Sequence, residues 1–375
     1  MRVVLVGGHL SPALAVLEEL KNDEVLFLGR KYSFEGDKAL SLEYQLVTGL
    51  GVNFTPITTG RLQRSFTKHT LISFLKLPIG FIQSFNALIK FKPDIVIGFG
   101  GYISIPVVFT AHILRIAVVI HEQTFEAGFA NRLLSKFVKR ICISWLNSEN
   151  FFPRKKTILT GNPVRKEFKK DLSNEFKFKK QLPLIYVTGG STGSHVINEG
   201  LGKILEKILK IANIVHQTGD AKEFNDFSKL QKIKEKINNP NGEYVAVKFL
   251  NTIHASEIFR KADMVISRSG INTITELIYL KKPSLLVPLS FSQKNEQFKN
   301  ASFAKKLGIA EILEQKELTE EKFYETILKI LKNKKEYTDK LKIDTGVFEN
   351  AAENIVRVVR SVVENEKSIE KKKNK

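Results

Sequence analysis

The sequence predicts an α/β protein made of two Rossmann-like domains in tandem. Three observations carry that expectation. The chain has 375 residues, more than one ordinary core organises. Two successive sets of short, continuously apolar runs alternate with helical stretches. A Gly-rich turn follows the first run of each set.

The first set is RVVLV (2–6), EVLFL (24–28), DIVIG (94–98), IAVVI (116–120) and RICIS (140–144). Unbroken apolar runs suit parallel strands covered on both faces, whereas one-sided strands would alternate. Helical stretches between most of them make right-handed βαβ units. The second set is PLIYV (183–187), ANIVH (212–216), EYVAV (243–247), DMVIS (263–267) and PSLLV (283–287). The join falls near TGNPVRKEF (160–168), where Asn162-Pro163 signals a turn and the Lys-rich stretch beyond is poor in core residues. ENAAENIVRVVRSVVENEK (349–367) has the spacing of an amphipathic helix, and SIEKKKNK after it reads as a solvated, frayed tail.

Lys and Arg outnumber Asp and Glu by 59 to 39, a net charge of +20. That excess speaks to partners and not to fold. It suits an anionic membrane, a phosphorylated substrate or nucleic acid, and no nucleic-acid reader motif accompanies it. Coding bias toward Lys gives the same charge without any partner. Cys142 is the single cysteine, so no internal disulfide forms, and no Cys/His cluster suggests zinc. A reducing, cytoplasmic compartment fits. Glu18, Glu19 and Gly7-Gly8 argue against a signal peptide at the start. Three glycines, Pro106, His112 and Arg115 argue against a membrane span over 95–120.

Five segments can carry chemistry. VGGHLSPALA (6–15) and TGGSTGSHVIN (188–198) are Gly turns that follow strands and open helices. A helix N-terminus offers unpaired N–H groups and a positive dipole end, and glycine lets a phosphate come close. Neither turn is a Walker loop or a dinucleotide fingerprint. SRSGINTITE (267–276) places Thr273 and Glu276 on one helical face, where a carboxylate could accept both hydroxyls of a ribose. A helix cap with a surface Glu would look the same. GFGGYIS (98–104) and IHEQTFEAGFANRL (120–133) put His121, Glu122 and Gln123 at a strand end, either facing a cleft or packed under a loop.

Taken in order, GGHLSPALA, GFGGYIS, HEQ with AGFANRL, TGNPVR, GGSTGSHVIN, HQTG, RSGINTITE and NEQFKNA resemble the signature stretches of the MurG family, from residue 3 to about 310. The resemblance implies a GT-B fold, two Rossmann-like domains facing each other across a cleft. It implies a UDP-N-acetylglucosamine donor, an undecaprenyl-linked muramyl-pentapeptide acceptor and no cofactor. Residues 1–163, rejoined by the helix at 349–367, would take the acceptor and meet the membrane; residues 164–345 would take the donor. Glu276 would hold the ribose and Leu250 the uracil edge. Arg165, Ser191 and Thr192 would face the diphosphate. Gln297 would reach the sugar, with Ser269 and Thr273 lining its site. Gly7, Gly8, His121, Gln123, Thr124 and Asn131 would serve the acceptor. For the base that takes the muramyl proton, His9 is the first candidate, with Glu122 and Glu126 as alternatives. No metal is expected, because donors fixed at a helix N-terminus and Arg165 can neutralise the leaving diphosphate, and no Asp-x-Asp triplet occurs.

The chain departs from that family's pattern in three places. Its first turn, GGH, is three residues shorter than GGTGGH. Thr124 stands where Asn is usual, and Glu296-Gln297 replaces a Gln pair. A relative with another lipid acceptor or UDP-sugar, or a non-catalytic nucleotide-sugar-binding paralogue, are the alternatives. Between 61 and 92, Phe66, Leu71, Phe74, Leu75, Leu77, Phe81 and Phe85 interleave with Arg61, Arg64, Lys68, Lys76 and Lys90. Such a segment can rest on an anionic inner-membrane surface, placing the protein peripherally on its cytoplasmic face.

Overall fold

The computed structural model describes residues 1–32, 39–58, 60, 68–168, 176–190, 193–221, 223–292, 295–339 and 349–373, with backbone only for 68–77, 370 and 373. The chain divides into two compact units, Met1–Arg165 with Gly346–Lys375, and Lys166–Thr345.

The first unit runs β1 (Arg2–Val6), α1 (Leu10–Glu19), β2 (Glu24–Gly29), α2 (Leu42–Gly49), β3 (Asn53–Pro56), α3 (Lys68–Phe91), β4 (Ile95–Gly98), α4 (Ser104–Ile113), β5 (Ala117–Glu122), α5 (Phe129–Leu134), β6 (Arg140–Ile143) and β7 (Thr157–Leu159). All seven strands pair in parallel, in the order β3-β2-β1-β4-β5-β6-β7. The unbroken apolar runs divide by parity. Val3, Leu5, Phe27, Ile95, Ile97 and Val119 enter one core. Val4, Val6, Leu26, Leu28, Val96 and Ile120 enter the other, beneath Leu88 of α3 and Val107 and Val108 of α4. Period-two side chains on a sheet buried on both sides need this pattern.

The second unit runs β8 (Leu184–Thr188), α6 (His195–Leu209), β9 (Asn213–Gln217), α7 (Asp226–Glu235), β10 (Tyr244–Val247), α8 (Thr252–Lys261), β11 (Met264–Ser267), α9 (Ile271–Tyr279), β12 (Ser284–Leu286), α10 (Glu296–Lys306), β13 (Ala310–Ile312), α11 (Glu320–Lys332) and α12 (Lys334–Asp339). Its sheet is parallel in the order β10-β9-β8-β11-β12-β13. On one face Ile185, Val187, Ile214, Met264 and Ile266 meet Ile197, Leu201, Ile204 and Leu205 of α6 and Phe323 and Ile327 of α11.

The last helix, α13 (Ala351–Lys373), belongs to the first unit. Ala352, Ile355, Val356, Val359, Val362 and Val363 form the stripe it buries in that unit's core. Each large member stabilises by roughly 1.5–3 kcal/mol. The frayed tail expected from 368 is corrected: the helix continues to Lys373. Glu366 pairs with Lys139 at 2.8 Å and Lys367 with Asp94 at 3.5 Å, and no Gly or Pro interrupts residues 351–373.

Each sheet changes winding direction beside its first strand, between β1 and β4 and between β8 and β11. Open α/β sheets bind ligands at the carboxyl ends of the strands beside such a reversal. Both Gly turns stand at these positions.

Candidate functional site

In the first unit the turn after β1 lies against the turn after β4. His9 N–H donates to Phe99 O at 3.0 Å, and Gly7 N–H donates to Leu28 O at 2.8 Å. A Cβ on Gly8 would fall on the Gly100 carbonyl, so this turn tolerates only glycine. Gly100 and Gly101 hold φ of 75° and 72°. A Cβ on Gly100 would lie 3.4 Å from both His9 Cδ2 and Asn131 Nδ2, so His9 and Asn131 border the same glycine. Sequence reasoning missed Glu43. This buried carboxylate accepts from Arg30 N–H at 2.8 Å and from Gly8 N–H, and it fills the space a Gly7 side chain would need. Burial raises its pKa above the ordinary carboxylate value.

The HEQ segment sits deeper than a ligand-facing loop. His121, Gln123 and Asn131 are only 0, 1 and 2% exposed. His121 Nε2 lies 3.0 Å from Ser144 Oγ, and Asn131 Nδ2 donates to His121 O and Glu122 Oε2, both at 3.0 Å. The three side chains expected to serve the acceptor are thus buried among their own neighbours. Glu122 accepts from Thr124 N–H (3.0 Å) and Oγ1 (2.7 Å) on one oxygen, and from Gly128 N–H (2.9 Å) and Asn131 Nδ2 on the other. With both oxygens occupied twice, it serves as a loop post and is poorly placed to take a proton. Thr124, where the family pattern has Asn, supplies two of those contacts. Glu126 lies half-buried on the same loop, and its carbonyl is 2.7 Å from Thr124 Oγ1.

In the second unit β8 leads into Gly189 and Gly190, then Gly193 and Ser194 open α6. Ser191 and Thr192 lie outside the described residues. Gly190 and Gly193 hold φ of 84° and 76°. Ser194 caps the helix, accepting from Ile197 N–H at 3.5 Å. The next turn, after β11, is tied down differently. Ser269 Oγ donates to Gln297 O at 2.7 Å, and Asn300 Nδ2 donates to Ser269 O at 3.0 Å. Gln297 Oε1 accepts from Leu289 N–H at 3.0 Å, which orients that amide. Arg268 Nη1 donates to Val287 O (3.0 Å) and Pro288 O (3.3 Å). Burial lowers its pKa to about 10, so it stays charged at neutral pH. Glu276 is buried on α9 with Thr273 half-buried one turn before it, and Leu250 is buried after β10. Arg165 is the last residue of the first unit.

A second feature that sequence reasoning missed lies behind the second Gly turn. Asn198 Nδ2 donates to Thr218 O (2.9 Å) and Asp226 Oδ2 (2.8 Å), so its oxygen is the acceptor for His216 Nε2–H at 2.9 Å. His216 Nδ1 then accepts from Tyr244 OH at 2.9 Å. Asp226 Oδ1 meets His195 Nδ1 at 2.8 Å. The only sequence trace of this chain was HQTG at a strand end.

His121 and His216 are fully buried, and burial lowers both pKa values to about 3. Their folded pKa lies below the unfolded value, so both states are neutral above about pH 6.5 and the unfolded state alone gains protons below it. Acidifying from about pH 7 to about pH 5 should cost about 2 kcal/mol of stability per histidine. Urea unfolding at the two pH values checks this, and equal midpoints would contradict it.

Sequence profiles of the glycosyltransferase family 28 N-terminal and C-terminal domains match residues 6–143 and 184–370. A Clostridium botulinum (strain Loch Maree / Type A3) protein named "UDP-N-acetylglucosamine--N-acetylmuramyl-(pentapeptide) pyrophosphoryl-undecaprenol N-acetylglucosamine transferase" is similar, with 32% identity over 360 residues, 92% of this chain and 96% of its own. A Clostridium perfringens (strain 13 / Type A) protein of the same name is 30% identical over 372 residues, covering 96% of this chain and 98% of its own. The crystal structure of Acinetobacter baumannii MurG matches with a TM-score of 0.72 at 24% identity, over 96% of this chain and 99% of that one; this likeness speaks to fold alone.

Proposed function

This chain belongs to the MurG family, within glycosyltransferase family 28, and from that premise we propose that it transfers N-acetylglucosamine from UDP-N-acetylglucosamine to the muramyl sugar of undecaprenyl-pyrophosphoryl-MurNAc-pentapeptide. The transfer inverts the anomeric centre: the muramyl hydroxyl forms the new C1–O bond as the bond from C1 to the diphosphate breaks. The product is the lipid-linked disaccharide precursor of peptidoglycan. Nothing is oxidised or reduced, so no redox cofactor is called for.

The observation that carries the mechanism is the Gly turn between β8 and α6. Gly190 and Gly193 hold left-handed backbone there, and the start of a fifteen-residue helix follows. The dipole of that helix and the N–H groups of its first turn favour the charge gained by the departing diphosphate, and Arg165 adds a guanidinium. Glu276 holds the ribose hydroxyls, Leu250 borders the uracil, and Gln297 reaches the sugar. His9 takes the muramyl proton. It borders Gly100 at the carboxyl end of β4, whereas the Glu122 oxygens are engaged by the loop.

Membrane contact is proposed on the face built by α3, α4 and α5, in which α4 packs on both α3 and α5. Ile79, Ile82, Phe85 and Ile89 of α3, Phe109 and Ile113 of α4, and Phe129 and Leu133 of α5 are exposed, Ile82 by 62%. Lys90, Lys92, Arg115, Arg132 and Lys136 come from the same elements and their edges. An apolar surface fringed by cations suits an anionic bilayer. Residues 61–67, and the side chains of Lys68, Leu71, Phe74, Leu75, Lys76 and Leu77, lie outside the described residues. Among the described residues no helix is long and apolar enough to cross a membrane. Anionic vesicles should sediment the protein, and Ile82→Glu with Phe85→Glu should weaken binding by roughly ten-fold or more. Equal sedimentation of variant and parent would count against this face.

Transfer of labelled N-acetylglucosamine tests the function. Product on the lipid-linked muramyl acceptor supports it. Product only on another lipid would favour a different acceptor, as the shortened first turn with Glu43 against it suggests. Binding of UDP-N-acetylglucosamine without transfer would mark a non-catalytic paralogue.

A further inference from the structure

We infer that Gln217 is a positioning residue that couples the grip on the donor's diphosphate to recognition of its nucleobase. The inference rests on the proposed donor site in the second unit and names a device inside it. Gln217 is the last residue of β9 and is only 5% exposed. Its Nε2 donates to Gly190 O at 2.9 Å. Its Oε1 accepts from Leu250 N–H at 3.2 Å and from Tyr186 OH at 3.4 Å. Gly190 O can only accept and Leu250 N–H can only donate, so the amide orientation is fixed by its partners.

One side chain therefore reaches two functional backbones. Gly190 belongs to the turn that would cradle the diphosphate, and Leu250 to the segment beside the uracil. The sheet order makes this possible. With β9 between β8 and β10, the strand ends that carry the two segments are both neighbours of residue 217. The residues on either side of Gln217 hold what it does not. His216 anchors Asn198 in the first turns of α6. Thr218 O accepts from Asn198 Nδ2 and occupies the place a Gly193 side chain would take. The HQTG stretch thus braces the turn, the helix start and the base-side loop from one strand end.

The physical consequence is cooperativity. If the amide registers both segments, an error at Gly190 is carried to Leu250, and each half of the donor is bound best when the other site is in place. Gln217→Glu separates the halves. The carboxylate still accepts from Leu250 N–H and Tyr186 OH, but it sets an acceptor against the Gly190 carbonyl. Gln217→Leu removes both links, taking from buried Leu250 N–H its acceptor and leaving Gly190 O with Gly193 N–H alone, at 3.2 Å.

Calorimetric titration of the full chain with UDP and with uridine tests this, beside a melting curve for each variant. Gln217→Glu should weaken UDP roughly ten- to hundred-fold and leave uridine within about three-fold, because only the diphosphate link is broken. Gln217→Leu should weaken both. A merely structural glutamine would lower the two affinities by one common factor in each variant. That common factor, or two unchanged affinities, would overturn the coupling while leaving the donor site standing. Failure of the parent protein to bind UDP would instead overturn the donor site itself.

Discussion

Gly193→Ala is expected to weaken UDP binding by at least about a hundred-fold, while Gly190→Ala, three residues earlier in the same turn, should cost about ten-fold or less. Both glycines hold left-handed backbone, at φ 76° and 84°, so both substitutions meet the strain of an L side chain there. They differ in what surrounds the added carbon. At Gly190 nothing among the described residues beyond its chain neighbours lies within 4 Å. At Gly193 the new Cβ would fall on the Thr218 carbonyl oxygen, with Thr218 C at 2.8 Å and Gly219 Cα at 2.9 Å. Those atoms are backbone, and they are themselves held: Thr218 N–H donates to Val247 O at 2.9 Å and Gly219 N–H to Lys248 O at 3.0 Å. No rotamer change relieves the overlap, so the turn must move away from β9 and lose the alignment of its N–H groups. Titration with UDP measures both variants, and equal losses would show that backbone strain alone, not the fit against Thr218, sets the turn.

His9→Ala should lower kcat by roughly a hundred- to ten-thousand-fold with little change in the KM for UDP-N-acetylglucosamine, the signature of a lost general base. Glu122→Gln should behave otherwise. Each Glu122 oxygen faces two donors, so an amide NH2 in either orientation opposes an N–H group. The expected cost is stability, about 2–3 kcal/mol, through the 122–131 loop. Steady-state kinetics and urea unfolding of both variants separate the roles. A large kcat loss in a fully stable Glu122→Gln protein would move the base to that carboxylate. Glu126→Gln makes the third member of the set, and a loss in kcat there with His9→Ala unaffected would place the base on Glu126.

The central strands were legible because burial on both faces forces unbroken apolar runs, which no half-exposed element needs. The strands that escaped were β3, β7 and β13, and each is an edge strand of its sheet. β3 is half-exposed and ends in Pro56, and β7 and β13 have only three residues each. An edge strand has one neighbour and little to bury, so its sequence carries little pattern. β10 is also an edge, yet EYVAV keeps enough β-branched and aromatic residues to be read.

The Gly turns were legible for a local reason: left-handed backbone and close approach both demand glycine. The brace behind them was not. Gln217 acquires its role only when the order β10-β9-β8 brings Gly190 and Leu250 to its two ends, which is a tertiary fact. Glu43 is thirty-six residues from Gly7 in the chain and meets it only because β2 lies beside β1. The HEQ segment shows the converse. Polar residues at a strand end suggest a surface that meets ligand, but Ser144, Thr124 and the 128–131 amides draw these side chains inward.

The direct test of the central claim is transfer of labelled N-acetylglucosamine from UDP-N-acetylglucosamine to the lipid-linked muramyl acceptor by protein stripped with a chelator. On the proposed mechanism the amides at the start of α6 and the Arg165 guanidinium hold the charge on the leaving diphosphate, so turnover should persist within about two-fold of the untreated rate. No transfer by the untreated protein would contradict the function. Transfer abolished by chelation and restored by magnesium or manganese would contradict the mechanism.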